Sequence, residues 1–177
     1  MAGSVEDGAL AARMFEQHGS AIRRYLRRLT GDAEIAADLA QDVYLRVVRH
    51  ALQYEARERE RAWLFRIARN VFLDHVKLRP HSAESGSADI VAVSAPAQAV
   101  RADLDAALRR LDDTDRDAFL LCEVGGLRYD EIGTLLGLTV GGVRSRIYRA
   151  RLALREMLMP PAPLAAIRHV RSHGHDD

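Results

Sequence analysis

Apolar residues recur at helical spacing along most of the chain, and their pattern predicts a helical protein. In the first 80 residues we expect three helices, from about Leu10 to Leu29, from about Ala33 to Arg49 and from near Arg59 to Arg79. Apolar side chains of the second helix fall every four residues and leave charged residues on its other side. Pro80 ends the third helix, because a residue that precedes proline disfavours helical backbone angles.

The segment PHSAESGSADIVAVSAPAQA interrupts this pattern. It is rich in Ser, Ala, Gly and Pro and has little periodicity, so it has the character of a linker. Because such a long linker is unusual inside one compact domain, we expect two small domains joined by a flexible segment. The predicted boundaries are a first domain at 8–80, a linker at 81–99, a second domain at 100–159 and a C-terminal tail at 160–177.

The second domain is predicted to contain four helices, most of them bounded by a glycine or a capping side chain. They are expected at Val100 to Leu111, from an Asp113 or Thr114 cap to Val124, at Tyr129 to Leu136, and from a Thr139 cap to about Leu158. No segment shows a convincing strand alternation, so the predicted fold class is all-α.

The last two of these helices have the layout of a helix-turn-helix, with a tight turn at Gly137 and a long basic second helix. At about 100° per residue, its buried stripe is Val143, Ile147, Ala150 and Leu154. A solvated arginine face is the plain alternative, but the lack of acidic residues over 132–155 favours DNA contact, at base edges and phosphates. The candidate DNA-contacting residues are Gly141, Gly142, Arg144, Ser145, Arg146, Tyr148 and Arg149.

Bulk composition excludes several classes of protein. The 177 residues are 48% hydrophobic and 29% charged, as in a globular protein, and the net charge of +1 by itself predicts no polyanionic partner. The single cysteine, Cys122, excludes an intrachain disulfide and fits a reducing, cytoplasmic setting, where we expect it to be a small buried hydrophobe. Without a long apolar run or an export signal, neither membrane insertion nor export is expected.

The third helix, in RAWLFRIARNVFLDHVKLR, has a polar stripe beside its apolar face. The stripe consists of Arg66, Asn70, Asp74 and Lys77. Such a stripe is usually only solvated surface. Arginine and amide side chains near aromatic rings also suit separated nucleic-acid bases, which stack on rings and form hydrogen bonds along their edges.

Three motifs occur in a familiar order: AADLAQDVYLRVVRH, RAWLFRIARNVFLDHV and LRYDEIGTLLGLTVGGVRSRIYRARLALREML. Together they resemble the extracytoplasmic-function (ECF) group of the sigma-70 family of bacterial RNA polymerase sigma factors. The resemblance covers about residues 10–80 and 100–158. It implies an all-α protein that binds core RNA polymerase and directs transcription initiation at promoter DNA.

The resemblance also implies roles for individual residues. The clamp helices of the largest polymerase subunit would be met by Asp38, Gln41, Asp42 and Arg46. Melted −10 DNA would be captured by the loop from Tyr54 to Arg61 and by the polar face of the third helix. The residues implied in this role are Tyr54, Arg66, Arg69, Asn70, Asp74 and Lys77. Trp63, on the same helix, is expected in the core. The helix-turn-helix would read the −35 duplex, and the linker would pass toward the active-site channel and the RNA exit path.

Two departures from the family pattern stand out. After Asp74 relatives usually have a dense cluster of arginines. This chain has few basic residues there, so its contacts with the DNA backbone near the −10 element are expected to be weaker. Relatives usually have Gly-Thr where this chain has Gly141-Gly142. Sigma factors of this group are commonly held inactive by an anti-sigma protein, so such a partner is also expected.

A regulator that binds duplex DNA without polymerase is the main alternative. An enzyme is a distant third, because no nucleophile and base, phosphate loop or pair of acids occurs at telling spacing. The tail contains His169, His173 and His175, followed by two aspartates, but a terminal polar tail is usually disordered and we expect neither a metal site nor a cofactor.

Replacing Gly142 with Thr tests the second departure. Glycine inside a helix costs about 1 kcal/mol relative to alanine, so Gly142→Thr should raise the melting temperature. It should also restore a hydroxyl contact to DNA and shift the preference among −35 sequences, measured by transcription from a library of promoters. An unchanged −35 profile would refute the proposed contact and leave Gly142 as tolerated drift.

Overall fold

The computed structural model describes residues 3–50, 54, 59–78 and 96–159, and within these residues it is all-α, as predicted. The helices are α1 (Gly3–Thr30), α2 (Ala33–His50), α3 (Glu60–Leu78), α4 (Pro96–Arg109), α5 (Asp113–Glu123), α6 (Tyr129–Leu136) and α7 (Val140–Leu158). Most of the predicted linker and the whole predicted tail lie outside the described residues.

Three predicted helix starts are wrong. Helix α1 begins at Gly3 instead of near Leu10, because the apolar spacing on which that prediction rests starts only at Leu10. Helix α4 begins at Pro96, inside the predicted linker; proline is favoured in the first turn, where its missing N–H is not needed. The cap of α5 is Asp112, one residue earlier than expected, and its side chain accepts hydrogen bonds from the amides of Thr114 and Asp115.

Helices α1, α2 and α3 form the first domain around a shared apolar core. Tyr25 and Phe65 are fully buried there and pack edge to face, with ring centroids 5.3 Å apart. The turn between α1 and α2 contains Gly31 at φ 71°, and Asp32 then caps α2 through the amides of Glu34 and Ile35. The sequence pattern predicted this turn but did not mark Tyr25 and Phe65 as core residues.

The second domain contains α4 to α7, and the helix-turn-helix lies within it as predicted. Gly137 ends α6 with a left-handed backbone at φ 68°, and the Thr139 hydroxyl accepts a hydrogen bond from the Gly142 amide at 3.1 Å. Gly133 lets the turn approach α6, since a Cβ there would lie 2.7 Å from the Leu138 carbonyl oxygen. The predicted stripe of α7 is buried, at Val143, Ile147, Ala150 and Leu154.

The two domains are docked through the carboxylate of Asp117 on α5. It accepts a hydrogen bond of 2.6 Å from the Tyr25 hydroxyl and pairs at 2.6 Å with Nε of Arg69, so it contacts both α1 and α3. Burial, with the neighbouring negative charge, raises the pKa of Tyr25 well above its ordinary value, so the phenol stays protonated and donates. Asp117 is 8% exposed, which places this network inside the contact between the domains.

Further polar contacts surround this network. Arg28 of α1 pairs with Asp105 of α4, and Arg59 next to α3 pairs at 2.9 Å with Glu131 of α6. Gly126, at φ 61°, lies so close to Arg61 that a Cβ there would be 3.1 Å from the guanidinium carbon. The interface is therefore rich in arginine and carboxylate groups.

Replacing Asp117 with Asn should weaken this docking. Asparagine can still accept from Tyr25 but carries no charge for Arg69, and losing one partner of a partly buried ion pair costs about 1–3 kcal/mol. We expect a lower urea midpoint and a larger radius of gyration by small-angle X-ray scattering. Asp113→Asn, whose side chain is 89% exposed, should change neither. An Asp117→Asn protein with the wild-type midpoint and radius would contradict this account.

Candidate nucleic-acid interface

The outer face of α7 is open, as the sequence predicted. Ser145 and Tyr148 are exposed on the side opposite the buried stripe, Arg144 is exposed on its flank, and Tyr148 is 66% exposed. Arg144 forms no hydrogen bond or ion pair with the part of the chain that the structure describes. The Ser145 hydroxyl donates to the Gly141 carbonyl at 3.0 Å and keeps its lone pairs available to accept.

The first turn of α7 lets a second backbone approach closely. A Cβ on Gly141 would meet nothing closer than 4.0 Å, so its missing side chain leaves open space on the outer face. Gly142 is different, because a Cβ there would lie 3.3 Å from the Thr139 hydroxyl oxygen that caps the helix. This crowding of the cap offsets part of the stability gain expected for Gly142→Thr.

Two arginines of α7 share one carboxylate of α5. Asp115 accepts hydrogen bonds of 2.9 Å from Arg146 and, through both oxygens, two of 2.9 Å from Arg149. Burial alone would raise the pKa of Asp115, but the bonds from Arg149 and Arg146 outweigh it and hold this pKa below its ordinary value. The same contact raises the pKa of Arg149 further. The ion pairs are thus fully formed at neutral pH.

These contacts change how basic the surface is. The acid-free run over 132–155 predicted a locally basic segment, but α5 supplies carboxylates from another part of the chain. Glu123 pairs with Arg151, and Asp112 lies 3.4 Å from Arg146. Sequence reasoning missed Asp115, although the acidic cluster DDTDRD at 112–117, where α5 begins, was a visible signal.

The polar face of α3 lines a groove between the domains. The groove has a volume of about 390 Å³ and is formed by residues of or next to α3 and by residues of α6: Arg59, Ala62, Trp63, Arg66, Asn70, Glu131, Thr134 and Leu135. Arg66 and Asn70 are exposed within it. The structure therefore brings two of the predicted −10 residues together on one accessible surface.

Other predicted −10 residues have different surroundings. Arg69 is engaged by Asp117 in the domain contact, and Asp74 pairs at 2.9 Å with Arg46 of α2. Lys77 is exposed near the end of α3. Tyr54 packs on Trp63, with ring centroids 5.2 Å apart, whereas positions 55–58 of the predicted loop lie outside the described residues.

Trp63 is 6% exposed, so its prediction as a core residue is confirmed. Cys122 is half-buried against the core, and burial raises the pKa of its thiol, which makes it a poor nucleophile at neutral pH. Among the described residues no group of histidine, cysteine and acidic side chains could hold a metal ion. The histidines of the tail lie outside those residues.

Helix α2 presents the residues predicted to meet polymerase. Asp38, Gln41 and Asp42 are exposed, whereas Leu39 and Val43 between them face the core. Arg46 is partly covered through its ion pair with Asp74. None of the described helices is both long and apolar enough to cross a membrane.

Two family matches cover most of the described residues. The chain matches Sigma-70 region 2 over residues 14–79 and Sigma-70, region 4 over residues 101–154. The first match contains α2, α3 and most of α1; the second contains the helix-turn-helix.

Individual relatives agree with these matches. ECF RNA polymerase sigma factor SigE of Mycolicibacterium smegmatis is 39% identical over 155 residues, which are 82% of this chain and 60% of that protein. RNA polymerase sigma factor CarQ of Myxococcus xanthus is 33% identical over 86% of this chain and 92% of its own length. The chain thus spans about three fifths of the SigE relative and nearly all of CarQ.

Solved structures share the fold. The sigma factor RpoE of Bartonella quintana, in complex with the anti-sigma factor NepR, aligns with a TM-score of 0.67 at 24% identity, covering 85% of this chain and 98% of that one. CnrH, in complex with the cytosolic domain of CnrY, aligns with a TM-score of 0.69 at 23% identity, covering 90% and 96%. The identity to the curated relatives, together with both region matches, leads to one conclusion: the chain belongs to the ECF group of the sigma-70 family of RNA polymerase sigma factors.

Proposed function

We propose that this chain binds core RNA polymerase and directs initiation at promoters by reading duplex −35 DNA with α7 and melted −10 DNA with α3. The observation that carries the proposal is the presence, in one chain, of an open outer face on α7 and a separate polar face on α3 with exposed arginine and asparagine. The protein acts by binding and not by catalysis, and it works in the cytoplasm with polymerase.

The outer face of α7 suits duplex DNA. Tyr148 and Ser145 can reach base edges in a major groove, and Arg144, which pairs with no described residue, is available for a phosphate. The bare surface of Gly141 at the start of the helix lets backbone amides approach a phosphate, where the helix dipole favours negative charge.

The groove beside α3 suits single-stranded DNA. Arg66 can stack on a base or pair with a phosphate, and the Asn70 amide can both donate to and accept from a base edge. An unstacked base exposes its edges and faces, and these two side chains of α3 can contact it after α6 has moved away from the groove.

The exposed face of α2 suits a protein partner. Asp38 and Asp42 carry negative charge on an otherwise regular helix, next to the exposed apolar side chain of Leu45, which is 44% exposed. A charged rim around an apolar contact is the usual composition of a protein interface. Core polymerase is the partner that membership in the family supports.

The docked arrangement has to open for both promoter elements to be read. They lie about 25 base pairs apart, or about 85 Å at roughly 3.4 Å per base pair. In the docked form α3 contacts α5 and α5 packs on α7, so the two DNA-binding surfaces lie only about 20 Å apart at about 10 Å per packed helix pair. The chain from Leu78 to Pro96 can reach at most about 60 Å, enough to supply most of the difference.

An anti-sigma protein is part of the same proposal. RpoE and CnrH, which share the fold, were solved with NepR and with the cytosolic domain of CnrY, respectively. A partner of this kind would keep the domains together and cover the faces of α2 and α3.

Reversing the charge of α2 tests the proposal. Asp38→Lys/Asp42→Lys should lower the affinity for core polymerase at least tenfold, since like charges would replace complementary ones, and reduce run-off transcription in proportion. Its melting temperature should stay close to the wild-type value, because both side chains are exposed. Glu16→Lys, at an exposed position of α1, is the matched control.

The same measurements distinguish the proposed function from the alternative of a regulator that acts without polymerase. A regulator that acts without polymerase would bind duplex DNA tightly as the free protein and would be insensitive to the α2 changes. A wild-type protein that neither binds core polymerase nor directs transcription from any promoter in a genomic library would overturn the proposal.

A further inference from the structure

The contact between Arg149 and Asp115 uses only one edge of the guanidinium group. Nε of Arg149 donates to Oδ2 of Asp115 at 2.9 Å, and Nη2 donates to Oδ1 at 2.9 Å. A guanidinium has five N–H donors in a rigid plane, so the opposite edge, formed by Nη1 and the second hydrogen of Nη2, stays unused by this contact. The Arg149 side chain is 53% exposed, so that free edge is accessible.

Asp115 itself is held firmly. Its side chain is 10% exposed in the first turn of α5, and Oδ1 also accepts a hydrogen bond of 2.9 Å from Arg146. Arg146 lies 3.4 Å from Asp112 as well and is only 30% exposed. Arg146 therefore braces the carboxylate, while Arg149 extends from it toward solvent.

We propose that Asp115 is a positioning residue that presents the free edge of Arg149 end-on to a guanine in the −35 element. Guanine O6 and N7 accept two parallel hydrogen bonds from that edge in the major groove. A free arginine would lose side-chain entropy on forming them, whereas an arginine already fixed by a carboxylate loses less. Asp115 thus acts through Arg149 without touching DNA.

This inference rests on the proposed function, since it needs α7 to read a −35 duplex. It also changes the roles that we expect for Arg146 and Arg149. Arg149 becomes the reader of a base, and Arg146, predicted from the sequence as a DNA contact, becomes mainly a brace for Asp115. A purely structural bridge between α5 and α7 would instead affect all −35 sequences equally.

Transcription by wild-type holoenzyme from a library with a randomised −35 element tests the inference. We expect a guanine preference at one position that Arg149→Ala removes. Asp115→Asn, which loses the charge and turns an N–H group toward Arg149, should reduce that preference about tenfold and leave preferences at other positions unchanged. In the Arg149→Ala background, Asp115→Asn should cause no further change in base preference, because its effect is transmitted through Arg149.

Two further variants serve as controls. Asp113→Asn removes a neighbouring carboxylate that pairs only with Arg116 among the described residues, so it should keep the wild-type profile. Asp115→Glu keeps the charge but shifts the oxygens by one methylene, and it should lower the guanine preference even if Asp115→Asn fails to fold.

The outcomes separate the two levels of the proposal. If wild-type protein with core polymerase directs no transcription, the proposed function fails. If it shows a −35 preference that Asp115→Asn and Asp115→Glu leave intact, or weaken equally at every position, the positioning role of Asp115 is overturned.

Discussion

The docked arrangement of the described helices depends on the buried carboxylate of Asp117, which lies beside an apolar cluster shared by both domains. This carboxylate is nearly buried, it belongs to the second domain, and its partners, Tyr25 and Arg69, belong to the first. A buried carboxylate without partners would be strongly unfavourable, so the docked form needs both partners of Asp117, whereas in an open form water would solvate this carboxylate. The same contact occupies Arg69, so docking and use of that arginine by another ligand exclude each other.

Helix α5 organises both halves because it carries two carboxylates two residues apart. Positions two residues apart on a helix point in directions about 200° apart, so Asp115 and Asp117 face opposite sides. Asp117 contacts the first domain, whereas Asp115 contacts the arginines of α7. One short helix thus connects the arrangement of the domains to the geometry of α7, although neither carboxylate lies on the outer face of α7.

Most of the fold could be predicted from the sequence, because it depends on local patterns. Apolar spacing and capping residues located the seven helices that the described residues form, and Gly137 and Thr139 marked the turn of the helix-turn-helix correctly. The starts of α1 and α4 could not be found this way, because their first turns show no clear apolar spacing. The exposed stripes on α2 and α7 also followed from periodicity. Long-range pairs such as Arg69 with Asp117 had no local signal, so the sequence suggested a free arginine where the structure has an engaged one.

Because ion pairs between arginine and carboxylate groups help to dock the domains, ionic strength has two opposite effects on this protein. Added salt screens the attraction within partly exposed ion pairs such as that between Arg59 and Glu131, so it favours separation of the domains. It also screens the attraction of arginine for phosphate, so it weakens the hold on DNA. Under the proposed function the first effect favours the extended form that reads both promoter elements, whereas the second opposes DNA binding, so the two effects of salt act against each other.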